Sequence, residues 1–451
     1  MTLTIQDLSK QAVNAIDPAQ YARHRVHRGL RDPDTNAGVL VGLTTIAQVI
    51  GNVEVDTERM PVDGVLTYRG VDVGSIAREV QEHPGYAFER VLHLLLFGSL
   101  PDVSRTRAFV ALLCRLRADV AFKSKNPMVG MTRGILELHR HAQRPDSISV
   151  ADALSHALTI IANAPEILAQ AVGRGPASIP LAAEMSAAKR LLSLLTSEDI
   201  AAIPPQHIEV MDLLLALHAE HGGGNNSTFA VRVVTSAGTD TFSAIAAGMC
   251  SLKGPLHGGA ANMARAMMQD AKRRIPSGSW SDEQAIARYI NDIFDGKAFD
   301  NAGLLYGFGH AVYTKSDPRA VILEGIAEKL SSGTPFEEEF SLYQVMARVA
   351  PKLFNQRKSK IIAPNVDYYS GFIYSVLGIG EDLYTPLFAV ARMAGWAAHH
   401  LEEIQNGKRI MRPAYAYVGA KHPSCRLVPG NGGGSWQSAA NGARDDTTIK
   451  G

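Results

Sequence analysis

Apolar residues recur along this chain with the period of an α-helix almost throughout. Ala260, Met263, Ala264, Met267 and Ala271 fall on one helical face, and Leu387, Val390, Ala391, Ala394, Ala398 and Leu401 repeat the pattern near the C-terminus. The same spacing predicts helices over 103–120, 150–172, 211–218, 282–294, 319–330 and 336–353. Punctuation agrees. Gly222, Gly223 and Gly224 close one helix, while Pro255, Pro318 and Pro364 stand where new ones can begin. Runs suited to strands are few, at 39–43 and 65–68. No repeat of 20–50 residues is present. The expected fold is mostly α, with a few short N-terminal strands.

Composition narrows the class. Of 451 residues, 46% are hydrophobic, enough for two or three domains or one large bundle. A net charge of +1, from 45 basic and 44 acidic side chains, offers no surface for a polyanion, so nucleic acid is not an expected partner. Cys114, Cys250 and Cys425 lie far apart without a CxxC pair, which argues against a disulfide framework or structural zinc. Cys250, inside the apolar 246–252 stretch, reads as packed core. No apolar run is long enough for a bilayer and no secretory signal is evident, so a cytoplasmic protein without a membrane partner is expected. From Pro429 the sequence PGNGGGSWQSAANGARDDTTIKG is too poor in large apolar groups to order itself, and a disordered tail over 429–451 is expected.

Four segments combine Gly or Pro with His, Asp or Arg: HAEHGGGNNST (218–228), GPLHGGAAN (254–262), GFGHAVYTKSDPRA (307–320) and PNVDYYSG (364–371). His257 precedes a helix expected over 258–268, where the partial positive charge of the helix start favours a neutral, hydrogen-bond-donating imidazole. A helix cap explains it equally well. His310 and Arg319 can polarise a ketone and clamp a carboxylate, while Asp317-Pro318-Arg319 also reads as a simple helix start. Asp367 suits a general base whose basicity is raised by apolar surroundings, although alone it reads as a cap. His218 and His221 match neither HExxH nor HxxEH and have no evident third ligand, so no metal is expected. Walker A, GxSxG and Rossmann GxGxxG sequences are absent.

Taken in this order, the four segments resemble the citrate synthase family. Further matches run through GVLVGLTTIAQVIG (38–51), DGVLTYRGVDV (63–73), VLHLLLFGSLP (91–101), PLFAVARMAGWAAHHLEE (386–403) and RPAYAYVG (412–419). The resemblance implies a two-domain helical fold, with a large domain from 1–258 and 375–428 and a small mobile domain over 259–374. It implies a homodimer and the condensation of acetyl-CoA with oxaloacetate, followed by hydrolysis of citryl-CoA to citrate and CoA. By resemblance, Asp367 deprotonates the acyl methyl group, His257 hydrogen-bonds the thioester oxygen and His310 polarises the ketone. His221, Arg319 and Arg392 bind the oxo acid, and Arg412 reaches the partner subunit's site. No cofactor is implied. Thr314 stands where relatives often carry a basic residue for the CoA phosphates, leaving Lys315, Lys358 and Lys360 as candidates.

Two other functions fit less directly. A 2-methylcitrate synthase would use propionyl-CoA, a difference of one methylene worth about 1–3 kcal/mol in an apolar pocket. A non-catalytic CoA- or carboxylate-binding homologue would not need all three catalytic side chains.

Overall fold

The computed structural model describes residues 16–418, apart from 36, 56–57, 83, 119, 121, 123, 175–183, 197–200 and 408. The expected tail at 429–451 lies outside the described residues. Sixteen α-helices and three strands are assigned among them. The chain divides into two compact units, residues 1–42 with 412–451, and residues 43–411. In the first unit, the Pro18–Arg23 helix is followed by a turn in which Arg31 bridges Gly38. Arg28 lies over the Tyr21 ring at 4.5 Å.

In the second unit, β1 (Ala47–Val55), β2 (Glu58–Tyr68) and β3 (Val71–Asp72) form an antiparallel sheet in that order. The predicted run 65–68 is the end of β2. The run 39–43 is not a strand: it joins no ladder, and Leu40 and Leu43 are exposed. A β-compatible sequence needs a partner edge to become a strand. The sheet is pressed against the 312–316 segment. A Cβ on Gly51 would sit 2.3 Å from the Val312 carbonyl oxygen, and one on Gly64 would sit 2.3 Å from that of Ser316. Asn52 Nδ2 donates to Val312 O at 3.1 Å, and Gly64 N donates to Ser316 Oγ at 3.1 Å.

The Tyr384–Asn406 helix runs through the core of this unit. Its predicted stripe is buried, from Leu387 through Val390, Ala391, Ala394 and Ala398 to Leu401. It packs on the Val150–Ala171, Pro205–His218, Asn226–Ser236 and Thr241–Leu252 helices. The predicted helix over 103–120 ends at Arg115 because Asn163 captures the chain beyond it. Asn163 Oδ1 accepts from Ala118 N at 2.7 Å, and its Nδ2 donates to Leu116 O at 2.9 Å. The helix predicted over 336–353 runs to Lys358. Pro255 opens a run of turns rather than a helix, and the helix after His257 starts at Ala260, two residues later than expected. Cys250 is exposed on the Thr241–Leu252 helix and is not a core residue; Cys114 is buried.

Candidate active site

The capping alternatives for Asp367 and His257 are resolved by their neighbours. The Val366–Val376 helix is capped by Asn365, whose Oδ1 accepts from Asp367 N at 3.0 Å, so the Asp367 carboxylate does not cap. Gly259 is the N-cap residue of the Ala260–Arg274 helix, so His257 is not a cap either. Asp317 does cap its helix, as expected, accepting from Arg319 N at 3.0 Å with Pro318 in the first turn. It also grips the Arg319 side chain: Nε donates to Oδ1 at 3.0 Å and Nη2 to Oδ2 at 2.8 Å. Both partners are buried.

The segment carrying His310 is tied to the start of the Asp367 helix. Gly309 N donates to Ala363 O at 2.9 Å, Asn365 N to Gly307 O at 2.8 Å, and Asn365 Nδ2 to Gly309 O at 2.9 Å. Gly307 and Gly309 each have φ of +80°, a left-handed conformation that other residues adopt with strain. Asp317 Oδ2 adds a fourth tie by accepting from Val366 N at 3.2 Å.

Backbone amides fix the tautomers of two histidines. Val312 N and Tyr313 N donate to His310 Nδ1 at 3.0 and 3.2 Å. An amide cannot accept, so the ring is neutral with its proton on Nε2. His257 has the opposite arrangement. Ser227 N donates to its Nε2 at 3.3 Å, with Ser227 Oγ 3.0 Å from the same nitrogen, which leaves the proton on Nδ1. Trp396 Nε1 donates to Ser227 Oγ at 3.2 Å and steadies that hydroxyl.

Around these rings lies a cluster of buried donors. His221, His310 and Tyr313 form a group of rings with centroids 4.7–5.3 Å apart. Among the described residues, His221 Nε2, Tyr313 Oη and Arg392 Nη1 are buried without a protein partner. Such groups cost about 1–3 kcal/mol each when left unsatisfied, and an anionic ligand would satisfy them. Arg392 Nε donates to His218 O at 2.8 Å, and its guanidinium lies 4.5 Å from the Phe388 ring centroid.

The electrostatics follow from burial. Burial chiefly, helped by the Arg392 charge, lowers His257 to about 4. Burial and Arg319 lower His218 to about 3. His221 is held well below the usual imidazole range by burial, Arg319, His310 and Arg392. Burial pushes Asp367 up to about 6; Arg319 and Arg392 restrain the rise and Asp317 adds to it. Burial brings the Arg392 guanidinium down to about 10, against the pull of Glu220 and with the repulsion of Arg319. Burial opposes the Arg319 charge too, but Asp317 outweighs it and Arg319 stays firmly cationic. The result is two cations, a carboxylate of raised basicity and several neutral imidazoles, a combination suited to a small dianion and a proton transfer beside it.

His257, His310, Asp367, His221, Arg319 and Arg392 thus share one electrostatic neighbourhood. Arg412 belongs to the first unit and is exposed. Lys315, Lys358 and Lys360 are exposed in the second. The sequence reading passed over Ser227, Tyr313, Glu220, His399 and Arg232. Ser227 lies in NNST and Glu220 within HAEH, so motif position could have pointed to both. His218 and His221 belong to no three-ligand group; among the described residues that arrangement occurs only at His139, Asp146 and Asp240. No helix among the described residues is long and apolar enough to cross a membrane.

The chain is similar to known proteins over most of its length. The family model described as "Citrate synthase, C-terminal domain" matches residues 35–414. A citrate synthase of Acidithiobacillus ferridurans is 33% identical over 386 residues, spanning 81% of this chain and 92% of that one. A 2-methylcitrate synthase of Shewanella oneidensis is 31% identical over 400 residues, spanning 85% of this chain and 96% of that one. Among solved structures, citrate synthase from the archaeon Thermoplasma acidophilum, in a ternary complex with carboxymethyl coenzyme A and oxaloacetate, superposes with a TM-score of 0.68 at 26% identity. That match covers 88% of this chain and 97% of the other. The chain therefore belongs to the citrate synthase family, acyltransferases that condense acetyl-CoA with oxaloacetate.

Proposed function

We propose that this site condenses acetyl-CoA with oxaloacetate through Asp367, His257 and His310, and then hydrolyses the citryl-CoA thioester to citrate and CoA. The observation that carries the proposal is the pair of neutral histidines with amide-fixed tautomers beside a carboxylate of raised basicity. Asp367 takes a proton from the acyl methyl group while His257 Nδ1–H hydrogen-bonds the thioester oxygen, giving an enol or enolate. A neutral donor avoids the large pKa mismatch that a bare carboxylate faces at such a carbon. The nucleophilic carbon attacks the ketone of oxaloacetate, which His310 Nε2–H polarises and then protonates as the alkoxide forms. His221, Arg319 and Arg392 hold the oxo acid, whose negative charges offset the repulsion between the two guanidiniums. Water then cleaves the thioester. The side chains supply all the acid–base chemistry, and the reaction needs no metal or organic cofactor.

The same reading has 259–374 moving as a small domain against 1–258 and 375–428, so that closure excludes water until both substrates are in place. It makes the active species a cytoplasmic homodimer in which Arg412 reaches the partner's oxo acid. Lys315, Lys358 and Lys360 are the basic side chains for the CoA phosphates. Initial rates of thiol release with oxaloacetate test the function. Acetyl-CoA is expected to outperform propionyl-CoA, and Asp367→Asn is expected to lose at least about a thousandfold in kcat. A preference for propionyl-CoA would make the protein a 2-methylcitrate synthase. Turnover of neither thioester, with ligand binding intact, would leave a binding protein.

A further inference from the structure

The Tyr384–Asn406 helix does more than supply Arg392. Three residues along one of its faces meet three consecutive residues, His218 to Glu220, where the Pro205–His218 helix runs into the loop that carries His221. Arg392 Nε donates to His218 O at 2.8 Å, Gly395 N to Ala219 O at 3.1 Å, and His399 Nε2 lies 2.9 Å from Glu220 Oε1. His221, the next residue of the loop, presents one of the buried unpartnered nitrogens of the site. The fit leaves no room at Gly395, where a Cβ would come 2.1 Å from Glu220 Oε2.

The direction of the His399 contact is fixed from behind. Arg232 donates to His399 Nδ1 from Nη2 at 2.7 Å and from Nε at 3.2 Å. A guanidinium has no acceptor, so the His399 proton must sit on Nε2 and be donated to Glu220. Arg232 is itself held by Glu403 at 2.8 Å and by Glu402. Glu402 Oε1 accepts from Thr45 N at 2.8 Å and Thr45 Oγ1 at 3.0 Å, which anchors the array beside β1. Glu220 Oε1 also accepts from Gly222 N, while its Oε2 has no hydrogen-bond partner among the described residues. His399 and Glu220 are completely buried.

We propose that His399 is a positioning residue for the oxo acid: by donating to Glu220, it sets the loop bearing His221 and the counter-charge facing Arg392. The proposal rests on the assignment of His221 and Arg392 to the oxo acid. His257 is held by Ser227, and the start of the Asp367 helix is tied through Ala363 and Asn365 to the 307–309 segment, so the effect is confined to one substrate.

Three substitutions in the full chain separate this role from simple packing. His399→Gln keeps a donor near the Nε2 position, His399→Asn keeps an acceptor near Nδ1, and His399→Ala keeps neither. Losing a hydrogen bond to a buried charge is expected to raise the oxaloacetate KM by about tenfold or more in Ala and Asn. The acetyl-CoA KM is expected to stay within about twofold, and Gln within about threefold of wild type for both substrates, since its donor survives. Rescue by Asn but not Gln would overturn the proposal, as would a parallel rise in both KM values. Should the His399 variants not fold, Glu220→Gln decides. It keeps an acceptor at Oε1 and removes the charge, and an unchanged oxaloacetate KM would sink the idea. If wild-type protein itself fails to turn over oxaloacetate, the reading of the site falls, whatever the variants do.

Discussion

Asp367→Asn should inactivate the protein and also stabilise it. Burial raises the Asp367 carboxyl from 3.8 to about 6. An acid whose folded-state pKa exceeds its unfolded value weakens the fold as it ionises, and the loss accumulates as pH rises between the two values. Each pKa unit is worth 1.36 kcal/mol, so at pH 7.5 the ionised group costs the fold up to about 3 kcal/mol. Partial solvent access to Asp367 screens some of this, leaving about 1–3 kcal/mol. Asparagine has the size of the protonated acid and cannot ionise. With an unfolding entropy near 2.1 cal/mol/K per residue over 451 residues, the variant should melt about 1–3 °C higher at pH 7.5. The advantage should shrink steadily from pH 6 toward pH 3 and below, where the wild-type group is protonated in both states. Paired thermal melts or urea titrations across that range test this. A less stable variant at pH 7.5, or an advantage independent of pH, would refute a buried carboxylate of raised basicity.

Three further outcomes are expected. Gly395→Ala places a Cβ 2.1 Å from Glu220 Oε2 and 2.5 Å from Ala219 O; overpacking should cost about 1–3 kcal/mol in urea unfolding and raise the oxaloacetate KM. Asp317→Asn leaves Arg319 buried without its counter-ion and should cost about 3–5 kcal/mol, with a Tm that falls and an oxo-acid affinity that falls with it. Burial and the neighbouring Asp212 carboxylate hold Glu89 protonated well above the usual carboxylate range. Glu89→Gln should therefore stabilise the protein at pH 8, with an advantage that shrinks toward pH 5 in melts of the two proteins.

The helices were largely legible because burial follows the 3.6-residue period: the stripe beginning at Leu387 is buried, and of the one beginning at Ala260, Ala264, Met267 and Ala271 lie in the core while Ala260 and Met263 are half-buried. β1 was not, since AQVIGNVEV is broken by Gly51 and Asn52 between its Val49-Ile50 and Val53 apolar positions. Its pairing with β2 joins residues from Val55 and Glu58 out to Ala47 and Tyr68. Helix ends were misplaced where a distant side chain decides them, as Asn163 does after Arg115. The residue types of the site were legible from the Gly-rich segments. Which nitrogen of each histidine carries the proton was not, because Ser227 and the 312–313 amides set it through space. The buried layer behind the site was hidden for another reason. In AAHHLEE, consecutive polar residues read as the solvent face of a helix, yet His399, His400, Glu402 and Glu403 are buried because Arg232, Thr235 and Thr241 meet them.

The backbone ties between 307–309 and 363–365 bear on how the protein can be redesigned. On the proposed roles, the base Asp367 and the ketone-polarising His310 are cast as one piece, so a substitution that shifts Ala363 or Asn365 should detune deprotonation and carbon–carbon bond formation together. His257 hangs from a different bracket, Ser227 and Trp396. Substitutions on the 251–259 side thus leave the 307–309 and 363–365 ties in register, which on the proposed roles makes that side the place to begin when exchanging one acyl chain for a longer one.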